Sequence, residues 1–319
     1  MFNFKFLKET KMKKIILFLF LFANISYAMN WQSNGNISAL LNEMLFSHWA
    51  KGGENQLSII TLFNYQLRYD SPDTNFIWEN IASMGYGFQT SENYSFRKNE
   101  DKIELSTKMG YKAFNQYYYS FNLIFRTQFD KGYQYPNDKD VVSKFFAPAY
   151  LIANLGFDYK PRNDLSITLS PLSGRATFVE DEQLANKGAF GVTPAKYDTN
   201  GVIIQKGSRI RFDFGIGTSI NYAFEPMENI KVQTKLDLFN NYTDPDIGNR
   251  KNIDINSETS IFFKVNDYIS ANLFMHFIYD QNIPIPLFKD IDGKKTQVGT
   301  GPRLQIKQNL GIGFSYAFK

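Results

Sequence analysis

Leu304-Gln-Ile-Lys-Gln-Asn-Leu-Gly-Ile-Gly-Phe-Ser-Tyr-Ala-Phe318 sets Leu304, Ile306, Leu310, Ile312, Phe314, Tyr316 and Phe318 against Arg303, Gln305, Lys307, Asn309, Gly311, Gly313 and Ser315. A side-chain period of two puts the two sets on opposite faces of one strand. Gln308 alone spoils the apolar face.

The same alternation recurs along the chain. In Ile210 to Phe224, Phe212, Phe214, Ile216, Ile220 and Tyr222 oppose Arg211, Asp213, Gly215, Gly217, Ser219 and Asn221. It returns in Ile103 to Ala113, in Tyr117 to Asp130 and in Ile230 to Leu238. Each run reaches the roughly 9 to 11 residues that a tilted strand needs to cross a bilayer. The first such segment, Asn34 to Phe46, is read as a strand although Ile37, Leu40, Leu41, Met44 and Leu45 also fit helical spacing. An even strand count lets both chain ends sit on one side of the membrane.

Connections fall into two kinds that alternate. Asp70 to Thr74, Asn115 to Gln116, Lys160 to Asn163, Glu225 to Glu228 and Asn266 to Asp267 are short turns. Longer polar stretches lie at Ser47 to Asn55, Ser91 to Asn99, Gly132 to Ser143, Glu180 to Lys206, Asp244 to Lys251 and Ile283 to Pro302. Short periplasmic turns and long external loops are the pattern of outer-membrane barrels. Tyr65, Tyr69, Phe76, Trp78, Tyr111, Tyr117, Tyr119, Phe157, Tyr159, Tyr222, Phe224, Tyr268, Tyr316 and Phe318 gather beside the short turns or the C-terminus, as a girdle at one membrane interface would.

Lys11, Lys13 and Lys14, the apolar run Ile15 to Phe22 and the small residues around Ser26-Tyr27-Ala28 form an export signal, with Met12 a candidate translation start. The expected organisation is therefore a signal peptide, residues 1–28, and one all-β domain, residues 29–319. That domain is read as an up-and-down antiparallel barrel of about twelve strands in the outer membrane of a Gram-negative cell. Beyond the N-terminus there is no uninterrupted apolar run of the roughly 18 to 20 residues that a spanning helix needs. A soluble barrel with its apolar faces inward would overfill the lumen with Phe, Tyr, Leu and Ile.

The 319 residues include no cysteine, which excludes a disulfide framework and a thiolate metal site. The formal charge of +4 is spread along strands with no long basic block, so no nucleic-acid partner is expected. No cofactor and no metal are expected. Asp244-x-Asp246-x-Gly248-Asn249 offers oxygen ligands but departs from an EF-hand spacing. No catalytic residue is assigned: of the two histidines, His48 sits in a loop, and His276 lies too far along its strand from Asp280 for a hydrogen bond. A neighbouring strand can still supply His276 with a partner. The Gly85, Gly215 and Gly311 repeats of Gly-x-Gly are read as small residues on the inner face.

The chain resembles an uncharacterised Bacteroidetes family, a domain of unknown function regarded as an outer-membrane barrel. Trp49-Ala-Lys-Gly-Gly53, Arg97-Lys-Asn-Glu-Asp-Lys102, Phe125-Arg-Thr-Gln-Phe-Asp-Lys-Gly-Tyr133, Phe145-Phe-Ala-Pro-Ala-Tyr150, Leu169-Ser-Pro-Leu-Ser-Gly174 and Lys187-Gly-Ala-Phe-Gly191 carry the resemblance. It implies location and architecture and supplies no activity. The aromatic C-terminal pattern is similar to the signal read by barrel-assembly machinery, though Lys319 follows Phe318.

Expected partners are thus outer-membrane lipids, the assembly machinery during biogenesis and a small polar or anionic solute. The inner face is expected to carry Lys108, Arg126, Asp130, Arg209, Arg211, Asp213, Lys235, Asp237, Glu258, Arg303 and Lys307 as pore-lining candidates, with Arg68, Lys102, Lys112, Lys231, Glu79, Glu104 and Asp158. Basic groups outnumber acidic ones in that set. A passive channel or substrate-specific pore is the first expectation. A structural or adhesive barrel using Glu180 to Lys206 and Ile283 to Pro302 is the alternative, and a lipid-modifying enzyme the third.

Overall fold

The computed structural model describes residues 31–45, 55–71, 75–266, 268–283, 285–291 and 293–318. The export signal, His48 and most of the first long loop lie outside them. Twelve antiparallel strands close into a barrel: β1 (Trp31–Met44), β2 (Gln56–Asp70), β3 (Phe76–Ser91), β4 (Tyr94–Phe114), β5 (Tyr117–Thr127), β6 (Ala149–Arg162), β7 (Leu165–Phe178), β8 (Ile210–Met227), β9 (Ile230–Asn241), β10 (Asp254–Lys264), β11 (Ile269–Tyr279) and β12 (Gln305–Phe318). Order around the ring follows order in the chain, and β12 closes on β1.

The alternating rows sort as a membrane barrel demands. Ile306, Leu310, Ile312, Phe314 and Tyr316 stand between 57% and 70% exposed on the outside, whereas Asp158 and Asp213 are 1% and 2% exposed within. A continuous apolar belt of this kind is unfavourable in water and favourable in hydrocarbon. Aromatic residues ring the short-turn end: Trp31 lies 5.4 Å from Tyr69 and 5.3 Å from Trp78, and Tyr117 stacks on Tyr159 at 4.7 Å. Phe318 lies over Gly35 and stacks near Phe63 and Tyr65 at 6.5 and 6.4 Å, pinning the seam where the two ends of the chain meet.

The helical spacing in the first segment has a physical origin. Ile37 and Leu41 point outward, while Leu40, 1% exposed, points into the barrel and packs over Gly311. A strand with apolar residues on both faces mimics a helix in sequence. Ile60 and Leu62 use Gly87 and Gly85 on β3 in the same way, so these inner-face glycines make room for aliphatic side chains from the next strand.

One expected loop is largely strand. Between β3 and β4 only Glu92 and Asn93 form a turn, and Tyr94 to Asn99 extend β4. The hairpin continues past the apolar belt because Phe88 stacks edge-on against Phe96 at 5.3 Å and Arg97 covers the Tyr94 ring at 3.9 Å. Polar composition there reports exposure to water, which a strand leaving the membrane also has.

In β7 the inner row runs Ser166, Thr168, Ser170 and then jumps to Ser173, Arg175 and Thr177. Pro171 and Leu172 are both exposed, because the register slips by one residue against β6 and against β8. Such a bulge tolerates a proline that a regular ladder excludes. Opposite it, a side chain at Gly156 would run into the Leu169 carbonyl and the Ser170 backbone. Without the slip, Arg175 would face lipid.

Candidate functional site: the charged layers of the lumen

At mid-height six ionised side chains meet inside the barrel. Arg126 on β5 donates to Glu104 at 2.8 Å and reaches Asp237 at 3.2 Å. Lys235 lies 3.4 Å from Glu104 and 3.6 Å from Asp237, whose other oxygen accepts from Ser219 at 2.7 Å. Lys102 lies 3.6 Å from Glu104 and 2.8 Å from Glu258. Three cations thus face three anions, so this layer is neutral.

Strand order gives the Lys102 contact its meaning. β4 and β10 are six places apart in a ring of twelve, which makes them opposite walls. An ion pair of 2.8 Å between them spans the lumen at that height. His276 on β11 borders the layer, with Nε2 at 2.7 Å from Asn256 Oδ1 and 3.8 Å from Glu258, both on the neighbouring β10. Among the described residues, no serine or threonine hydroxyl bonds this histidine.

A second layer lies toward the long-loop end. Arg175 reaches Asp254 at 3.1 Å, Asp213 at 3.3 Å and Asp280 at 3.6 Å, with the Phe239 ring 4.9 Å beneath it. Arg211 donates to Asp213 at 2.8 Å, and Asn241 donates to the same carboxylate at 2.8 Å. Between the two layers is a cavity lined by Asn122, Asn154, Ser170, Ser173 and Gly217. Toward the short turns, Asp158 accepts from Lys108 at 2.8 Å, Thr168 at 2.8 Å and Ser166 at 2.7 Å.

The long connection between β7 and β8 folds as a compact cap rather than a free loop. Val179, Leu184, Ala185 and Val192 are buried together with Ala147, and Ala189 and Phe190 pack on them. Each large aliphatic group buried in this way contributes about 1.5 to 3 kcal/mol. The short helix α1 (Glu182–Asn186) is capped by Asp181, whose side chain accepts from the Leu184 N–H at 2.8 Å and pairs with Lys144. Burial raises the Asp181 carboxyl, but the Lys144 hydrogen bond, the Leu184 amide and the Lys144 charge together hold it below its ordinary value. Gly191 (φ 80°) turns the cap toward the barrel, and its carbonyl accepts from Arg211 at 3.4 Å. Cap and charged layer are therefore one connected network.

Of the residues proposed from the sequence for the inner face, Lys108, Arg126, Arg211, Asp213, Lys235, Asp237, Glu258 and Lys307 point into the barrel. Three lie elsewhere. Asp130 is exposed beyond the end of β5, where its N–H donates to Asp101 at 3.0 Å. Arg209 precedes β8 and pairs with Glu180 and Glu182 at 3.6 and 3.5 Å on the cap. Arg303 precedes β12 and donates to the Pro302 carbonyl at 2.9 Å. Alternation assigns a face only while a strand lasts, and these three lie outside their strands. Arg175 is absent from the sequence-based set because the bulge reverses the phase of β7. With Arg175 come two acidic groups that the set also lacked, Asp254 and Asp280. Asp244, offered above as an oxygen ligand, accepts from the Asp246 N–H at 2.8 Å and from Asn282 at 2.7 Å, tying two long connections together.

Solved structures similar to this chain are barrels. An outer membrane channel from Pseudomonas putida F1 aligns over 90% of this chain and 95% of its own, with 10% identity and a TM-score of 0.39. The NanC porin aligns over 88% and 98%, with 7% identity and a TM-score of 0.35. The translocator domain of the autotransporter NalP from Neisseria meningitidis aligns over 97% and 96%, with 9% identity and a TM-score of 0.33. No curated protein matches the sequence. Within the chain, residues 41–133, from the C-terminal end of β1 to the first residues after β5, match the family described as Protein of unknown function (DUF3078).

Proposed function

We propose that the protein is an outer-membrane channel for small polar solutes, held closed by the ion-pair layer in its lumen, with the short turns in the periplasm and the cap outside. The observation that carries this reading is the Lys102–Glu258 pair across the barrel. Ion pairs are a poor device for stability alone: well-packed apolar side chains of similar volume stabilise an interior as well or better. A lumen filled with paired charges and amides is instead one that water and polar solutes can enter once the pairs part. Equal numbers of cations and anions in the ion-paired layer argue against the anion preference expected from the sequence, and Arg209 has no part in it.

Planar-bilayer recording tests the proposal. Wild-type protein should give rare, small steps, and Lys102→Ser with Glu258→Ser should give steps several-fold larger and more frequent. A double variant that is folded, as judged by heat-modifiable gel mobility, and as silent as wild type would overturn the channel reading.

A second reading rests on a separate observation. The hairpin of Lys196–Tyr197 with Ile203–Gln205 holds Tyr197, Val202 and Ile204 at 51%, 61% and 69% exposure on the cap surface. Three exposed apolar side chains on an external cap suit contact with another protein. Loss of cell-surface binding on replacing all three with serine, with conductance unchanged, would favour that role.

A further inference from the structure

The cavity between the two charged layers measures about 130 Å³, room for a molecule of roughly six to ten non-hydrogen atoms. Its lining includes Ile124 on β5 and Ile278 on β11, strands six places apart in the ring of twelve, so the space crosses the lumen from wall to wall. Part of that lining is aliphatic. Ile124 pairs with Ile152 across β5 and β6, and Ile278 pairs with the inward-facing Asn256.

Charge is unbalanced where the cavity meets the upper layer. Asp254 and Asp280 come next in register after the Ile255–Tyr279 pair, which sets them opposite each other at the ends of β10 and β11. Like charges at opposed positions repel. Arg175 reaches both, at 3.1 and 3.6 Å, while Arg211 is matched by Asp213 at 2.8 Å. One arginine for two carboxylates leaves one negative charge over, and the lower layer, with its three cations and three anions, does not offset it. A second feature lies on the β5 and β7 side. Ser170 is 3% exposed and lines the cavity, and among the described residues neither its hydroxyl nor the Asn122 amide has a hydrogen-bond partner. A buried hydroxyl without a partner is costly, and a ligand hydroxyl supplies one.

We propose that this cavity binds a small hydroxylated monoamine, with the ammonium beside Asp254 and Asp280, the carbon chain along Ile124, Ile152 and Ile278, and the hydroxyl on Ser170 and Asn122. An ammonium carries three donors and no acceptor, which suits two carboxylates that share one arginine. A carboxylate or phosphate would meet the same pair with repulsion. A solute with hydroxyls on every carbon would leave some of them unpaired against the isoleucines. The inference rests on the channel reading for the path the solute takes, and it names the class of solute that pauses between the layers.

Titration calorimetry on the full protein in lipid nanodiscs tests the site, with wild type and the variant carrying Lys102→Ser and Glu258→Ser side by side. Aminopentanol, with its two functional groups at opposite ends of the chain, should bind saturably and about tenfold tighter than the matching pentanediol. Hydroxypentanoate should not compete. Asp280→Asn, which leaves Arg175 matched to Asp254, should erase most of the preference for the amine. Ser170→Ala should weaken aminopentanol about threefold and leave pentylamine unchanged. Equal affinity for the diol and the amine would overturn the proposal, as would a preference that survives Asp280→Asn or an equal loss for both amines in Ser170→Ala. So would absence of binding to either protein, and if the opened variant still conducts, the channel reading stands without this site. Binding by a variant that stays silent in bilayers would sink the channel and keep the site.

Discussion

Lys102 and Glu258 stand on opposite walls of the barrel and meet at 2.8 Å. The pair couples strands that are 156 residues apart in the chain and share no backbone hydrogen bond. It acts as a strut across the lumen, and the Arg126–Glu104 and Arg126–Asp237 contacts brace it from the side.

Breaking the strut from one side should be worse than removing it. Glu258→Gln leaves Lys102 facing the lumen without its closest partner and should cost about 3 kcal/mol, whereas Lys102→Met with Glu258→Met should cost much less. Urea unfolding in lipid vesicles, arranged as a double-mutant cycle, measures the coupling. Additive single effects would mean that the pair does not act as a unit.

The orientation of the strands has its own test. Ile216 and Leu123 belong to outward rows near mid-belt, so Ile216→Lys or Leu123→Arg should each cost about 2 to 4 kcal/mol in the same unfolding assay. Thr218→Ser, on the outward row of β8, serves as a mild control. Neutral behaviour of both charged variants would mean that lipid does not cover those faces.

The cap should loosen in acid. Because the folded-state carboxyl of Asp181 is held below its ordinary value, its contribution is complete above the unfolded-state value, near 4, and fades as pH falls below that. Amide exchange at Leu184 and Ala185, corrected for intrinsic rates, should therefore rise between about pH 4 and pH 2. Asp181→Asn should flatten that dependence, and Asp181→Ala should weaken the helix cap by about 1 kcal/mol at neutral pH. A pH profile identical in wild type and Asp181→Asn would assign the loosening to another group.

The bulge in β7 makes Gly156 irreplaceable. Gly156→Ala drives a methyl group into the Leu169 carbonyl and should destabilise by about 1 to 3 kcal/mol, with bulkier residues preventing assembly. Deleting Pro171 instead removes the extra residue and leaves a regular ladder that still brings Arg175 to Asp213, Asp254 and Asp280, so the deletion should assemble better than Gly156→Ala. Heat-modifiable mobility of the two variants makes the comparison, and a deletion that assembles no better than Gly156→Ala would mean that the bulge itself is required.

Much of the barrel is readable from the amino acids because a strand repeats every two residues and the membrane punishes any break in the pattern. Ile306, Leu310, Ile312, Phe314 and Tyr316 announce their face, and the five short turns announce where each hairpin bends. The cap at Glu180 to Lys206 reads only as a long polar stretch, since its core of Val179, Leu184, Ala185 and Val192 is assembled from positions with no period and borrows Ala147 from another connection.

By itself the sequence determined the strand faces, the two-ended distribution of turns and the apolar exterior, all consequences of local backbone geometry meeting a solvent with two phases. Tertiary structure alone decided which charges meet in the lumen. Closure of the ring brings Lys102 to Glu258 and Lys235 to Glu104, and the slip at Pro171 delivers Arg175 to three aspartates. Those contacts depend on the order of strands around the ring and on a single-residue register change, and neither leaves a periodic mark in the chain.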